Sequence, residues 1–274
     1  MFNYNELMDA KRTRIMGIIN VTPDSFYSGS RVDETNLLIR VEQMIKDGVE
    51  IIDVGGESTR PGAEAVPLEE EIRRTVTAVK IIRKHFDIPI SVDTYKSEVA
   101  RLSIEEGADI INDISAMRFD EKMVEVASHY KCPVVLMHMK GNPKTMQENP
   151  EYKDVVAEIV EFFDERIRYA KEHGVDKLIL DPGIGFGKKL EHNLEILKRI
   201  EEFRKLNYPL LIGASRKSMI GMILNLPPEE RLNGTLAVTA YCAMHSVEIV
   251  RVHDVKENKE VVKIIEAIKS IKNS

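Results

Sequence analysis

Along this chain, short apolar runs are followed by residues that can hydrogen-bond, titrate or carry charge. These are Asn20, Asp53, Asp93, Asn112 with Asp113, His138, Asp181, the triplet Ser215-Arg216-Lys217, and Arg251 with His253. One such residue means little, because helix N-caps also need Asp and Asn. A whole series is better explained by a site. Arg251, His253, Arg60 and Asn20 suit an anion, since the planar fork of arginine donors matches phosphate oxygens. Asp93, Asn112 and Asp181 supply acceptors and an amide, a set that suits a flat heterocycle with N–H donors on one edge, much as side chains read base edges. Lys217 lies between the two groups. The ligand read from these types is a flat nitrogen heterocycle carrying a phosphate or pyrophosphate.

Such residues meet only if the fold gathers them. The apolar runs are Ile15–Ile19, Ile51–Val54, Ile90–Val92, Ile110–Ile111, Val134–Met137, Leu178–Leu180, Leu210–Ile212 and Ile249–Val252. Most are continuous rather than alternating, as in strands buried on both faces of a parallel sheet. Stretches of helical period lie between them. Leu37, Leu38, Val41, Met44 and Ile45 form one apolar face; Leu68, Ile72, Val76, Val79 and Ile82 form another; Val261, Val262, Ile264, Ile265 and Ile268 form the last. The units average roughly 34 residues, near the size of a βαβ unit. They predict an α/β fold, a (β/α)8 TIM barrel, with an open doubly wound sheet as the alternative. With no composition break, residues 1–274 read as one domain. Two connections are long and polar, Val21–Glu34 and Gly55–Pro67, and such loops on a barrel's C-terminal face are where substrate-covering segments occur.

Composition agrees. The 274 residues fit one barrel of ~250 residues with little left over. Net charge is −6, with 39 Lys+Arg against 45 Asp+Glu, so a global basic field for nucleic acid is absent. No apolar run reaches the ~18 residues of a membrane span. The start, MFNYNELMDAKRTR, does not resemble a secretory leader. Cys132 and Cys242 have no metal-ligand spacing and read as buried thiols of a reducing cytoplasm.

Several residues carry two readings. Asp181–Lys188 (DPGIGFGK) is rich in glycine but is neither a Walker A loop nor G-x-G-x-x-G, and a plain turn is the alternative. Asp53 reads as the anchor of its own loop. Asp113 suits a cap for the helix that follows. His138 lacks a partner at ligand spacing, so a structural or substrate-lining role fits better than a metal. Met117, Met137 and Met139 read as core filler. The types alone leave Lys217 open as a Schiff-base lysine.

Taken together, the segments IMGIINVTPDS (15–25), DVGGESTRPGA (53–63), SVDT (91–94), INDIS (111–115), VLMHMKG (135–141), DPGIGFG (181–187), GASRKS (213–218) and RVHD (251–254) resemble the dihydropteroate synthase family of pterin-binding TIM barrels, almost over the length of the chain. The resemblance implies a transferase of folate biosynthesis that joins 6-hydroxymethyl-7,8-dihydropterin pyrophosphate to p-aminobenzoate, giving 7,8-dihydropteroate and pyrophosphate. It implies that Asn20 coordinates Mg²⁺ on the pyrophosphate, which Arg251, His253 and Arg60 also hold. Asp93, Asn112, Asp181, Met137, Phe186 and Lys217 would form the pterin site, and Phe26, Thr59, Pro61, Lys217 and Ser218 the p-aminobenzoate site. Asp93, Asp181, Lys217, Arg251 and His253 would carry catalysis, which displaces the Schiff-base reading. The family further implies a cytoplasmic homodimer inhibited by sulfonamides.

The residue types make chemical sense of this. An aromatic amine is a weak nucleophile, so the electrophile must be made strong. An SN1-like path is expected, with cations on the departing pyrophosphate and buried carboxylates favouring the cationic pterin over the neutral substrate. One departure is visible: Ser25-Phe26-Tyr27-Ser28-Gly29-Ser30 stands where the family pattern is closer to SFSDGG. The rivals are a pterin-dependent methyltransferase, which has no need of Arg60, Arg251 and His253 around a pyrophosphate, and a non-catalytic pterin-binding paralogue.

Overall fold

The apolar runs form parallel strands, and the ring they make is closed. In the computed structural model, which describes residues 2–9, 12–21, 31–58, 64–142 and 144–271, the strands are β1 (Arg14–Asn20), β2 (Ile51–Gly55), β3 (Ile90–Asp93), β4 (Ile110–Asp113), β5 (Val134–Met137), β6 (Leu178–Asp181), β7 (Leu211–Ile212) and β8 (Ile249–Val252). The sheet order is β6-β5-β4-β3-β2-β1-β8-β7. The two ends meet through a parallel bridge between Leu180 and Leu210, with the Leu180 N–H donating to the Pro209 carbonyl at 2.9 Å. That closure decides for the barrel against the open sheet.

Helices alternate with the strands: α1 (Tyr4–Asp9), α2 (Arg31–Lys46), α3 (Leu68–His85), α4 (Ser97–Glu105), α5 (Met123–Tyr130), α6 (Val155–Glu172), α7 (Leu190–Lys198), α8 (Ile200–Arg204), α9 (Ser218–Leu224), α10 (Leu232–Met244) and α11 (Val255–Ser270). The expected loop Val21–Glu34 is shortened at its far end, because α2 already begins at Arg31. Of the two long connections, residues 22–30 and 59–63 lie outside the described residues.

Two apolar layers explain the continuous runs. Outward-facing residues such as Ile15, Ile52, Ile90, Ile111, Leu136 and Leu180 pack against the helices. Inward, Met16, Ile51, Ile110, Val135, Ile179, Leu211 and Ile249 form a second cluster with Leu7 of α1. Helix α1 plugs the N-terminal end of the barrel, and the Tyr4 hydroxyl donates to the Leu178 carbonyl at 2.6 Å. Strand side chains alternate, so the inner face returns every second residue. Two positions beyond that inner layer stand Asp53, Asn112, Met137, Asp181 and Arg251. Asp93 follows Ser91 on β3 in the same way.

Two helix faces differ from the expected ones. On α3 the buried stripe is Glu71, Thr75, Ala78, Val79 and Ile82, while Leu68 is exposed. On α11 it is Val255, Asn258 and Val262, while Ile264 and Ile268 face solvent. A helix carrying two apolar stripes can turn only one onto the barrel, and periodicity alone does not say which.

Candidate active site

Asp53, Asp93, Asn112 and Arg251 form one ionic cluster at the mouth. The Arg251 Nε donates to Asp53 Oδ2 and its Nη2 donates to Asp93 Oδ2, both at 2.6 Å. The Asn112 amide lies 3.3 Å from each oxygen of Asp53. Asp53 is fully buried. It therefore does more than anchor its own loop, since it aims both Arg251 and Asn112. The other oxygen of Asp93, Oδ1, is buried and has no hydrogen-bond partner. Burial pushes the Asp93 carboxyl up to about 7, with Arg251 opposing and Asp53 adding to the rise. Burial disfavours the Arg251 charge too, but Asp53 and Asp93 outweigh it and hold the guanidinium above its ordinary value. Two of the three Arg251 nitrogens are thus committed to carboxylates, which leaves Nη1 for any anion.

The second wall comes from β5, β6 and the glycine loop. Asp181 Oδ1 accepts from the Gly183 N–H at 2.8 Å. Burial raises the Asp181 carboxyl to about 6, against that bond and the nearby Lys217 and Lys188. Gly183 has φ +70°, and a Cβ there would run into the His138 carbonyl oxygen, so the glycine is required by the close approach of β5. Ile114, Met137, Met139, Met146 and Phe186 make a separate apolar cluster above the barrel core, with Tyr95 against it. Met137 and Met139 are therefore packed together, as filler would be, but at the mouth. The Lys217 ammonium sits 4.1 Å from the centre of the Phe186 ring, in cation–π contact. Asp93 and Asp181 thus supply acceptors, and Lys217 a cation, around this apolar slot at the mouth.

The third sector holds His253 and its support. The His253 N–H donates to Ser215 Oγ at 3.2 Å, and the hydroxyl lies 2.9 Å from His253 Nδ1. Ser215 thus fixes both the backbone and the ring of His253. Arg216, with φ +55°, is paired on both sides with Asp254, at 2.9 and 2.7 Å. It belongs to the scaffold rather than to the slot. Ser218, exposed, starts α9 next to Lys217. Asn20 ends β1 half-buried. Phe26, Thr59, Arg60 and Pro61 lie outside the described residues.

Asp113 does not cap a helix. It accepts from the Ser115 N–H, the Ser115 hydroxyl and the Met117 N–H, each at 2.7 Å. These bonds, with two from Arg166 to the Ala116 and Met117 carbonyls, hold that pair at φ +53° and +60°. Three further groups escaped the sequence reading. Lys188 is buried under the glycine loop. Ser215 was grouped with Lys217 rather than with His253. Lys96 links Glu57 and Glu71 at 2.7 and 2.5 Å, and also the Val66 carbonyl, behind β2 and β3. The signal for Lys96 was in the sequence, as a lysine three residues beyond Asp93, but its acidic partners are far away along the chain.

No group of three or more His, Cys, Asp or Glu side chains among the described residues is placed to hold a metal. Asn20 offers one amide oxygen. That is enough for a Mg²⁺ ion held mainly by substrate phosphates and water, and too little for a cage made by the protein alone. No helix among the described residues is long and apolar enough to cross a membrane.

Comparison with known proteins agrees with this geometry. Residues 16–253 match the family described as pterin binding enzyme. A dihydropteroate synthase of Escherichia coli (strain K12) is 48% identical over 279 aligned positions, covering 100% of this chain and 98% of its own. The crystal structure of the Yersinia pestis dihydropteroate synthase with a sulfonamide drug complex superposes with a TM-score of 0.91 at 42% identity, covering 98% of this chain and 97% of that one. The Xanthomonas albilineans enzyme with 4-aminobenzoic acid gives 0.89 at 38% identity, covering 97% and 95%.

Proposed function

This chain belongs to the dihydropteroate synthases, among the pterin binding enzymes, and from that membership we propose how its own residues join 6-hydroxymethyl-7,8-dihydropterin pyrophosphate to p-aminobenzoate in folate biosynthesis. It is a transferase, and the products are 7,8-dihydropteroate and pyrophosphate. The observation that carries the assignment of residues is the buried, unpartnered Oδ1 of Asp93 beside Arg251 and Asn112. A buried acceptor without a donor is costly, and a ligand N–H removes that cost.

The pterin lies in the slot between Phe186, Met137 and the acceptors. Its N–H edge meets Asp93 and Asp181, its acceptors meet the Asn112 amide and Lys217, and Phe186 covers one face. The pyrophosphate lies toward Asn20, Arg251 Nη1 and His253, with Arg60 from the loop after β2. The p-aminobenzoate site is completed by Phe26, Thr59, Pro61, Lys217 and Ser218. Residues 1–274 act as one pterin-binding barrel domain.

The reaction follows from the electrostatics. The bond from the pterin methylene carbon to the pyrophosphate oxygen breaks first, and its electron pair leaves with the pyrophosphate. Positive charge spreads into the dihydropterin ring. Asp93 and Asp181, raised toward 7 and 6 by burial, meet a cation there and become better ionised as the charge develops. Their attraction is thus stronger in the transition state than in the ground state, which is the condition for catalysis. The amine nitrogen then bonds the methylene carbon and loses a proton to solvent. Mg²⁺, when bound through Asn20 and the phosphates, supplies charge neutralisation on the leaving pyrophosphate. Arg251 and His253 add fixed positive charge and a donor on the same side.

A homodimer is supported by large apolar side chains exposed on successive packed helices: Met222 and Ile223 of α9, Met244 of α10, and Ile264 and Ile268 of α11. Large apolar side chains exposed on neighbouring helices are suited to an association face. Two free, buried thiols, Cys132 and Cys242, fit a reducing cytoplasm. Sulfonamides, which occupy the Yersinia relative, act here as competitors of p-aminobenzoate.

The test is reconstitution. Purified protein, dihydropterin pyrophosphate, p-aminobenzoate and Mg²⁺ are mixed, and dihydropteroate and pyrophosphate are followed by chromatography. Product that needs both substrates is expected. Pterin binding without product would instead identify a non-catalytic paralogue.

A further inference from the structure

Lys188 is a buried amine that the reaction does not use. It is 4% exposed, at the end of the glycine loop. Its Nζ lies 2.9 Å from the Gly183 carbonyl, 2.9 Å from the Phe186 carbonyl, 3.2 Å from the His138 carbonyl and 3.0 Å from His138 Nδ1. A protonated Lys188 has three N–H to share among these four neighbours, while burial, helped by Lys217 and opposed by Asp181, pulls the ammonium down to about 7. Beside the protonated lysine, His138 accepts through Nδ1 and carries its own proton on Nε2. Its ring is packed edge-on against Phe162 at 4.9 Å and fixed from behind.

The points that Lys188 holds are the supports of the slot. Gly183 gives its N–H to the Asp181 carboxylate and its carbonyl to Lys188. Phe186 gives its carbonyl to Lys188 and its ring to Lys217. His138 receives its backbone bond from β6, its N–H donating to the Asp181 carbonyl at 2.9 Å. One nitrogen thus joins the exit of β5 to both shoulders of the loop after β6. We propose that Lys188, seated on His138, is a positioning residue that sets the spacing between the Asp181 carboxylate and the Phe186 ring, and so the fit of the pterin. This assignment rests on the pterin reading of the slot.

Ligand affinity separates positioning from a purely structural role. Binding of 6-hydroxymethylpterin is measured by titration calorimetry on the folded parent, on Lys188→Met and on His138→Leu, with KM for p-aminobenzoate measured at saturating pterin substrate. Lys188→Met keeps the side-chain length and removes the donors. It is expected to weaken pterin binding at least about tenfold, while KM for p-aminobenzoate stays within about twofold. His138→Leu removes one acceptor and leaves the carbonyls, so about threefold is expected, which keeps the proposal testable should Lys188→Met fail to fold. Lys188→Arg, which restores charge with a different reach, should recover part of the loss. Parental pterin affinity in the folded variants, with only a lower Tm, would overturn the assignment. A parent protein that does not bind 6-hydroxymethylpterin would overturn the functional reading on which it rests.

Discussion

The guanidinium of Arg251 reaches Asp93 at 2.6 Å with one nitrogen and Asp53 at 2.6 Å with another, so a side chain expected at the anion is chiefly the brace of two carboxylates. The brace leaves Oδ1 of Asp93 buried and unpaired. The site is built with its cation already spent on its own acids and with one acceptor waiting.

Removing the brace should therefore harm stability as well as turnover. Arg251→Gln leaves two carboxylates buried without their counter-charge, and breaking a buried pair in this way costs about 3 kcal/mol or more. Urea unfolding of the parent and the variant should show that loss, together with a fall in kcat/KM of at least about a hundredfold. A variant as stable as the parent would mean that the carboxylates find other partners.

The raised carboxyls give a pH dependence with a definite sign. Asp93 stands at about 7, facing Arg251, Asp53, Glu71 and Asp113. Asp181 stands at about 6, facing the Gly183 N–H, Lys217, Lys188 and Arg251. Ionised carboxylates favour the pterin as positive charge develops on it, so kcat/KM for the pterin substrate should rise along an acidic limb between about pH 6 and 7. Stability of the empty protein runs the other way. Both folded values lie above the unfolded ones, the folded state holds more protons between about pH 4 and 7, and these groups cost stability as pH rises through that window. Asp181→Asn should remove the lower part of both profiles. Steady-state rates and urea melts across this range check the two signs.

Much of this was legible before any coordinates. Strands buried on two faces cannot alternate, so their continuous apolar runs announce themselves, and the polar residue that ends each run announces the mouth. What remained hidden depends on long-range contacts. Asp53 lies 198 positions from Arg251 and Lys188 lies 50 from His138, and no local pattern links either pair. The glycine loop resembles phosphate-binding motifs in sequence, and nothing local marks its terminal lysine as the residue the loop folds around. Ile264 and Ile268 fit an apolar face by period, yet the barrel takes the neighbouring stripe of α11 and leaves them outside.

In the proposed function Asn20 gives the metal an amide oxygen, so the metal should depend on both it and the phosphates. Pyrophosphate binding, followed by calorimetry, should weaken at least about tenfold when Mg²⁺ is removed with a chelator. Asn20→Ala should raise the Mg²⁺ concentration needed for half-maximal product formation severalfold and leave binding of 6-hydroxymethylpterin unchanged. Equal Mg²⁺ requirements in the parent and the variant would place the metal elsewhere.

In the proposed mechanism a buried carboxylate with one unpaired oxygen stabilises charge on the pterin as the bond to pyrophosphate breaks. Asp93→Asn tests it most directly, since the amide keeps the size and one acceptor oxygen and removes the charge. With kcat and the affinity for 6-hydroxymethylpterin measured on the same preparation, kcat should fall at least about a hundredfold, in the range of about 3 kcal/mol of lost transition-state stabilisation, and pterin affinity should change by less than about tenfold. A kcat equal to that of the parent would contradict it.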